Sequence, residues 1–352
     1  MRRGMDTVKL TIDGVEVEAA AGANLLDAAL DAGVYIPHLC HHPDLTPSGA
    51  CRLCMVDVNG RSVVACRVPV EDGLTVSTET PDVTKSRKVA LELILANHPL
   101  ECLPCSANGK CELQRVSAFI GHDADRMVRL RRTETAVPPD TSNPFFDLEM
   151  EKCVLCGICV RTCDELQNIG AIDFTHRGMD TRIGTFADRP IIDSSCVSCG
   201  ECVVRCPVGA LVPKTFEDPA REAASICPFC GVGCGMFIGT RGNRITHVRG
   251  DQDNPANRGS LCVKGRFGLG YVNSPDRLTE PLIRENGALR PATWDEALTT
   301  VTRRLTEIKE KHGADAFAAM SSAKCSNEEN YLLQKFTRGV MGTNNVDHCA
   351  RT

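Results

Sequence analysis

Apolar and polar side chains alternate across residues 6–18, on both sides of Asp13-Gly14. An Asp-Gly pair between two alternating runs predicts a β-hairpin with a two-residue turn. The period then changes, because residues 24–33 carry apolar side chains at helical spacing, with Asn24 placed as the N-cap and Gly33 just past the end. The chain is therefore predicted to begin with a hairpin followed by a short helix.

A second helical pattern covers residues 83–97 and ends at His98-Pro99. Its predicted apolar face consists of Val89, Leu93, Ile94 and Ala96. Residues 131–146 have no such period. They are polar and rich in proline, which predicts a linker or a strap that runs along the surface.

Strands and helices alternate near the end of the chain. Two capping boxes, Thr293–Glu296 and Ser326–Glu329, predict helices that extend to about Lys311 and Val340. Residues 316–320, between them, predict a buried strand. A strand followed by a helix is the typical opening of an α/β domain.

Composition places the chain among globular proteins with an unusual source of stability. Of its 352 residues 42% are hydrophobic, but only 4% are aromatic and 21 are cysteine. Small domains with few large side chains can be stabilised by bound metal. The alternative, a set of disulfides, requires an oxidising compartment, and the residues after Met1 do not have the apolar run of a secretory signal.

Charge and hydropathy exclude two classes of partner. The net charge of -5 gives no reason to expect nucleic acid or an acidic membrane surface. No window contains 18 consecutive apolar residues, so no membrane span is expected. A cytoplasmic protein whose cysteines bind metal is the resulting expectation.

The first group of cysteines has the intervals x10, x2 and x11 and consists of Cys40, Cys51, Cys54 and Cys66. Four thiolates on a loop beside a hairpin suit a [2Fe–2S] cluster. Three histidines crowd this group, namely His38, His41 and His42. Histidine ligation of the Rieske kind is an alternative to simple loop packing, although four cysteines already fill the tetrahedral positions.

The second group has the pattern His98-x3-Cys102-x2-Cys105-x5-Cys111. Three thiolates are one ligand short of a [4Fe–4S] site, and His98 is placed to supply the fourth through a neutral imidazole. The alternative is a histidine that merely ends a helix, beside an iron with an open position.

Two copies of one motif follow. They are Cys153-x2-Cys156-x2-Cys159-x3-Cys163 and Cys196-x2-Cys199-x2-Cys202-x3-Cys206-Pro207. This is the bacterial two-cluster ferredoxin pattern, in which the fourth cysteine of each run binds the other cluster. One [4Fe–4S] cluster is thus assigned to Cys153, Cys156, Cys159 and Cys206, and the other to Cys163, Cys196, Cys199 and Cys202. Zinc sites use two pairs of ligands and fit these runs poorly. A hairpin is predicted around Ile191-Ile192, between the runs.

The last group is Cys227-x2-Cys230-x3-Cys234-x27-Cys262, which supplies ligands for a further [4Fe–4S] cluster. Glycines at positions 231, 233 and 235 are expected to let the backbone approach the cluster and donate N–H groups to its sulfurs. Strands are predicted at 236–238 and 244–248, joined at Gly242-Asn243. Of the cysteines, only Cys325 and Cys349 remain outside a group.

These motifs resemble known families. The first two groups resemble the front of the large iron–sulfur subunit of complex I, of NAD-linked formate dehydrogenases and of iron-only hydrogenases. The segment Cys227–Arg266 resembles the cluster domain of molybdenum/tungsten bis-pterin oxidoreductases, in which the residue at the position of Lys264 bridges the cluster and the proximal pterin. A solvated surface lysine is the alternative for Lys264.

The resemblance implies an α+β multidomain fold. Its expected domains are a β-grasp [2Fe–2S] domain at 1–82, a [4Fe–4S] domain with one His and three Cys ligands at 83–130, a linker at 131–146, a two-cluster ferredoxin domain at 147–216, a bis-pterin oxidoreductase [4Fe–4S] domain at 222–275, and the incomplete start of an α/β catalytic domain at 276–352.

Residues 321–336 and 342–351 closely resemble formate dehydrogenase catalytic subunits. The resemblance implies an iron–sulfur relay between a Mo- or W-bis(molybdopterin guanine dinucleotide) centre and a flavin-bearing, NAD(P)-binding diaphorase subunit, with a small [2Fe–2S] subunit as a further candidate partner. Alternatives are a complex I-like or hydrogenase-associated iron–sulfur subunit, and a stand-alone multi-cluster electron-transfer protein.

In the formate dehydrogenases a Cys-Ala-Arg-x stretch precedes the catalytic cysteine or selenocysteine. Here that stretch ends with Thr352, so no catalytic ligand is expected within the chain. One hypothesis is a UGA codon for selenocysteine that was read as a stop, which makes the protein a selenoprotein candidate. A fragmentary gene is the alternative.

Overall fold

In the computed structural model, which describes residues 7–130, 137–215 and 217–349, the alternating residues form the predicted hairpin. Its strands are β1 (Thr7–Ile12) and β2 (Val15–Ala20), paired in antiparallel register. The turn residues Asp13 and Gly14 have φ angles of 51° and 83°. Positive φ at both central residues is what a type I′ turn requires, so Asp-Gly forms the connection predicted for it.

The hairpin is part of a five-stranded mixed sheet. Its other strands are β3 (Met55–Val58), β4 (Arg61–Val64) and β5 (Thr75–Ser77), and the order is β2-β1-β5-β3-β4 with β1 parallel to β5. Helix α1 (Leu25–Asp31) packs on it through Leu25 and Leu26, which are fully buried. Asn24 caps this helix by accepting the Leu26 N–H at 2.9 Å, as predicted.

Three helices follow, namely α2 (Pro81–Ala96), α3 (Glu112–Ile120) and α4 (Ala124–Leu130). The predicted apolar face of α2 was half right: Ala96 is buried and Ile94 packs partly buried against the core, but Val89 and Leu93 are 40% and 59% exposed. Leu91 and Leu95 face the core instead. The buried face also carries two polar groups with specific partners: Arg87 donates to the Met55 carbonyl at 2.9 and 2.5 Å, and Glu92 pairs with Arg126 at 2.7 Å.

The segment with the repeated cysteine motif contains short elements around its loops. They are β6 (Phe146–Leu148), α5 (Ile158–Arg161), β7 (Asp173–Thr175), β8 (Arg182–Gly184), α6 (Glu201–Val204) and β9 (Leu211–Pro213). Strand β6 pairs with β9 and β7 with β8, all antiparallel. Phe146, the last residue of the predicted linker, is therefore part of a buried strand. Residues 131–136 of that linker lie outside the described residues.

The hairpin predicted around Ile191-Ile192 was wrong. Residues Ile191–Asp193 form one 3-10 turn, and the hairpin in this interval is β7–β8. Ile191 is buried because it anchors the turn, and its N–H donates to the Asp140 carboxylate at 2.8 Å. Ile191 therefore anchors a turn and is not part of a strand, while Ile192 is 51% exposed.

Residues from Thr215 onward form a second compact unit, separate from the first unit, which ends at Lys214. Its elements are β10 (Arg221–Ile226), β11 (Gly235–Arg241), β12 (Arg244–Gly250), α7 (Val263–Phe267), β13 (Leu282–Glu285), β14 (Ala288–Pro291), α8 (Trp294–His312), β15 (Ala319–Ser322), α9 (Asn327–Lys335) and β16 (Val346–Cys349). Strands β10, β11 and β12 form one antiparallel sheet, and β15 is parallel to β16.

The two strands predicted in this sheet and the turn between them are confirmed, whereas β10 was not predicted. Helices α8 and α9 begin at Thr293 and Ser326, whose side chains cap them, and the reciprocal capping box is complete at Ser326. The strand predicted at 316–320 begins only at Ala319, and Met320 is 70% exposed. Among the described helices, none combines the length and the apolar character that a bilayer crossing requires.

Candidate metal centres

The first cysteine group lies beside the five-stranded sheet, where Cys54 and Cys66 are buried in its core. Cys40 follows α1, Cys51 and Cys54 precede β3, and Cys66 lies in the turn after β4. The thiols meet as two hydrogen-bonded pairs, Cys40 with Cys51 and Cys54 with Cys66. Because the Cys51 thiol donates to it, the pKa of Cys40 is lowered to about 5. Two pairs of thiolates fit the two irons of a [2Fe–2S] cluster.

Each of the three nearby histidines has a hydrogen-bond partner on one ring nitrogen. The Nε2 atom of His41 lies 2.6 Å from the Asp27 carboxylate, and His38 Nδ1 lies 2.8 Å from the Ile36 carbonyl. His42 Nδ1 accepts the Asp44 N–H at 3.2 Å. The other ring nitrogen of His41, Nδ1, is buried and has no hydrogen-bond partner among the described residues, so these contacts do not separate loop packing from Rieske-type ligation.

The second group combines the end of α2 with the start of α3. Cys111 is the N-cap residue of α3, and its pKa is raised by burial and by the neighbouring thiols of Cys105 and Cys102. His98 directly follows the C-cap of α2, and burial lowers the pKa of its imidazole, which keeps it neutral. Its Nδ1 atom is buried and has no hydrogen-bond partner among the described residues. A neutral imidazole with a free ring nitrogen fits a metal ligand.

The two ferredoxin runs line two cavities, and each run contributes its fourth cysteine to the cavity of the other. A cavity with about 350 Å³ of empty space is lined by Cys153, Cys156, Cys159 and Cys206. A second cavity, of about 530 Å³ including its open mouth, is lined by Cys163, Cys196, Cys199 and Cys202. We call these ferredoxin site A and ferredoxin site B, respectively. The grouping of side chains around each cavity is the one that the spacing predicts.

Both runs use the same backbone geometry. Leu155 and Ser198 occupy equivalent positions and have φ angles of 52° and 56°. Their N–H groups each donate to the sulfur of the first cysteine of their run, Cys153 or Cys196, at 3.4 Å. Left-handed residues at matching positions turn the chain around the metal position and aim amide dipoles at a thiolate, which favours the charged form of the ligand.

Burial dominates the chemistry of these thiols. It raises the pKa of Cys153 to about 11 and that of Cys156 to about 12, and it raises the pKa of Cys159 well above its ordinary value. Such thiols stay neutral at pH 7 unless a cation compensates the charge. They are therefore suited to bind metal and unsuited to act as nucleophiles.

The fifth group lies in the second unit. The Cys227 N–H donates to the Cys234 carbonyl at 2.8 Å, which closes the loop between β10 and β11. Cys262 is the N-cap residue of α7. Burial raises the pKa of both Cys227 and Cys234, and the thiols of Cys230 and Cys262 lie close enough to raise the two pKa values further.

Two of the three glycines predicted to donate to cluster sulfurs have other hydrogen-bond partners. Gly231 donates its N–H to the Ala323 carbonyl at 3.1 Å, and Gly235 donates to the Asn257 side chain at 2.8 Å. The expected N–H donation from these two glycines to cluster sulfurs was therefore wrong. Gly231 instead ties the cysteine loop to the turn after β15. Lys264 lies on α7, two residues after Cys262, and is exposed.

Cysteines of neighbouring groups pack against shared apolar cores within the first unit. One core, around Leu91 and Val116, is in contact with Cys51 of the first group, with Cys111 of the second group, and with Cys153 and Cys206 of ferredoxin site A. A smaller core joins Cys40 directly with Cys156. A third joins ferredoxin sites A and B through Cys159, Cys196, Cys202 and Cys206. Four of the five groups are therefore in contact through apolar packing.

Several charged residues of this region were not predicted as functional. Arg161 on α5 donates to the carbonyls of Cys40 and Thr46 at 2.5 and 2.6 Å. Arg205 forms a buried ion pair with Glu201 and reaches the Asp44 carboxylate at 3.1 Å. The sequence did offer a signal for Arg161 and Arg205. Both are charged residues inside cysteine motifs that must be buried, so each needs a specific partner.

Among the described residues, no three His, Cys, Asp or Glu side chains converge closely enough to hold a single metal ion. A polynuclear cluster needs a wider arrangement, because its thiolates bind different iron atoms. Cavities lined by four cysteines each, and thiols that meet in two pairs, fit that requirement.

Five segments of the chain match known families. Residues 5–81 match the 2Fe-2S iron-sulfur cluster binding domain, and residues 87–126 match the NADH-ubiquinone oxidoreductase-G iron-sulfur binding region. Residues 152–210 match the 4Fe-4S dicluster domain. Residues 220–274 match the molybdopterin oxidoreductase Fe4S4 domain, and residues 277–352 match molybdopterin oxidoreductase.

The individual relatives are named for different oxidoreductase activities. The chain is 38% identical to the alpha subunit of the NADPH-Fe(3+) oxidoreductase of Geobacter sulfurreducens, over 98% of this chain and 40% of that protein. It is 37% identical to a subunit of the NADH-quinone oxidoreductase of Rhizobium meliloti, over 98% of this chain and 40% of that protein. A provisionally named formate dehydrogenase of Staphylococcus aureus is 32% identical, over 97% of this chain and 39% of that protein. The chain thus spans about two fifths of the length of these relatives.

Similarity extends to solved structures. One of them is an NAD+-reducing [NiFe]-hydrogenase in the H2-reduced state, with 33% identity and a TM-score of 0.54, covering 59% of this chain and 87% of that chain.

Proposed function

This chain belongs to the molybdopterin oxidoreductase family, with cluster domains of the NADH-ubiquinone oxidoreductase-G type. We propose that it carries electrons between a bis-pterin Mo or W centre and an NAD(P)-linked flavin subunit. When bound, one [2Fe–2S] and four [4Fe–4S] clusters supply single-electron carriers. The sets of ligands that we propose are those assigned above to the five cysteine groups, including His98. Lys264 is proposed to bridge the last cluster and the proximal pterin.

The main support for the proposed relay function is the packing of cysteines from four groups against shared apolar cores. Such cores exclude water and fix the groups next to one another, which is what successive electron transfers need. In a protein that used its clusters only for stability, contacts between different groups would not be required.

Formate oxidation to CO2, or its reverse, is the substrate reaction that we propose. It rests on the similarity of residues 321–336 and 342–351 to formate dehydrogenases and on the Staphylococcus aureus relative. The higher identity to the Geobacter sulfurreducens protein favours a second candidate, an NADPH-linked reductase.

One experiment separates these candidates. The protein is purified without oxygen from its source with its partners, its Mo, W and Fe contents are measured, and its EPR spectrum is recorded after addition of formate or of NADPH. Reduction of the clusters by formate supports the formate dehydrogenase. Reduction by NADPH but not by formate supports the reductase. A native mass near 38.1 kDa with iron but neither Mo nor W would support a stand-alone electron-transfer protein instead.

A further inference from the structure

The side chain of Thr162 combines complete burial with an unused hydrogen-bond donor. Its exposed fraction is 0%, and it lies immediately before Cys163 at the end of α5. Its Oγ1 atom has no hydrogen-bond partner among the described residues. A hydroxyl that loses water without gaining a partner destabilises the fold, so such a group is expected to have a partner in the loaded protein.

Thr162 lines ferredoxin site B, the cavity that also contains Cys163, Cys196, Cys199 and Cys202. The rest of that wall is mostly apolar, with side chains such as Phe146, Ile183 and Leu211. The polar residues Gln167 and Glu201 are part of the same wall, but the Thr162 hydroxyl is bonded to neither. The cavity itself offers sulfur acceptors, namely those of the cysteines and of a cluster between them.

We propose that the Thr162 hydroxyl donates a hydrogen bond to a sulfur of the cluster at ferredoxin site B and thereby raises the reduction potential of that cluster. The inference rests on the proposed relay function. Reduction adds negative charge to the cluster, and a donor stabilises the reduced form more than the oxidised form.

The two ferredoxin sites differ at this position. The residue equivalent to Thr162 in the second run is Arg205, which also precedes the fourth cysteine. The guanidinium of Arg205 is held by Glu201 and Asp44. Thr162 lines site B, whereas Arg205 is not among the residues that line site A, so two clusters with equal ligand sets have unequal surroundings.

The test is a redox titration of the purified holoprotein, followed by EPR. A Cys196→Ser variant identifies the signal of site B. Thr162→Val keeps the shape of the side chain and removes the donor, whereas Thr162→Ser keeps the donor. We expect the midpoint potential of the site B signal to shift to a more negative value in Thr162→Val and to stay near that of the unmodified protein in Thr162→Ser.

The matched control is Thr185→Val. Thr185 is also buried, but its hydroxyl donates to the Arg189 carbonyl, and it is not part of either ferredoxin cavity. Its loss is expected to reduce thermal stability and to leave all potentials unchanged. An unshifted site B potential in Thr162→Val, with full iron content, would overturn the proposal. Equal shifts in Thr162→Val and Thr185→Val would also overturn it, because they would indicate a general packing effect.

Failure of the proposed function would give a different result. If the chain carries no cluster at site B, the unmodified protein lacks the signal that Cys196→Ser is meant to remove, and its iron content is correspondingly low.

Discussion

A buried thiol becomes a metal ligand only when the metal replaces its proton. In ferredoxin site A burial raises the pKa of Cys153 to about 11 and that of Cys156 to about 12, so both thiols are neutral at pH 7 without metal. His98 differs, because burial lowers the pKa of its imidazole and leaves it ready to bind without releasing a proton.

The role of His98 can be tested by substitution. We predict that His98→Cys keeps a four-iron cluster, because it restores a fourth ligand, and that its EPR signal and potential shift because a thiolate carries more charge than an imidazole. His98→Ala should alter the same signal. His122→Ala is the control, since His122 is exposed and contacts Ser117. Spectra of His98→Ala that match those of the unmodified protein would show that His98 is not a ligand.

The crossed arrangement of the ferredoxin sites makes a specific prediction about which variants behave alike. Cys206→Ser and Cys153→Ser should perturb one EPR signal, and Cys163→Ser and Cys196→Ser should perturb the other, because each pair lines one cavity. If Cys206→Ser and Cys196→Ser instead affected the same signal, each run would bind its own cluster.

At the scale of elements, charged side chains hold the [2Fe–2S] loop against the ferredoxin helices. Arg161 on α5 spans the carbonyls of Cys40 and Thr46, and the Thr46 N–H donates to Glu165 at 2.8 Å. Arg205 adds a contact to Asp44 in the same loop. The position of the loop that presents Cys40 therefore depends on residues from another domain.

Removal of the Arg161 side chain should weaken this attachment. Because hydrogen bonds to a charged group contribute about 1.5–3 kcal/mol, we predict that Arg161→Ala lowers the free energy of unfolding by a similar amount and speeds the loss of the [2Fe–2S] absorbance in air. Arg303→Ala is the control, since its ion pair with Glu307 is exposed at both ends and should contribute less than about 1 kcal/mol. Equal stability of the two variants would show that the Arg161 contacts do not hold the loop.

Element prediction succeeded where the signal was local. The turn at Asp13-Gly14 and the caps at Asn24 and Ser326 depend on neighbouring residues only, and each formed as expected. Prediction of the buried face of α2 was only half right, because that face is set in part by two distant partners, Met55 for Arg87 and Arg126 for Glu92. Long-range partners of this kind have no periodic signature in the sequence.

At the scale of the whole molecule, the metal centres are part of the hydrophobic core. Cysteines of three groups pack around Leu91 and Val116, so a cluster that leaves would open the core of the first unit. The spacing of the ferredoxin cysteines was sufficient to predict which of them share a cavity. It could not predict the contacts between cavities, which arise from side chains such as Leu39 and Ile158 in different segments.

Iron removal should therefore loosen the first unit as a whole. We predict about 18 iron atoms per chain from one [2Fe–2S] and four [4Fe–4S] clusters. After reduction and chelation, amide hydrogen exchange should accelerate throughout residues 40–66, 98–111 and 153–206, while α8, which is remote from these groups in sequence and lies in the second unit, should keep its protection. Protein treated with chelator alone is the control. Protection that stays unchanged after full iron loss would contradict this dependence.

The crossing of the two ferredoxin runs also has a consequence for biosynthesis. A ribosome that has released the chain as far as Cys163 has exposed three cysteines of site A and a single cysteine of site B. Site B is complete once Cys202 emerges, whereas site A has to wait for Cys206, four residues later in the same motif. Neither cluster can be inserted with its full ligand set into a nascent chain that ends between the runs. Full ligation of either cluster therefore has to wait for the second run, and the order of translation gives site B the first complete set of ligands.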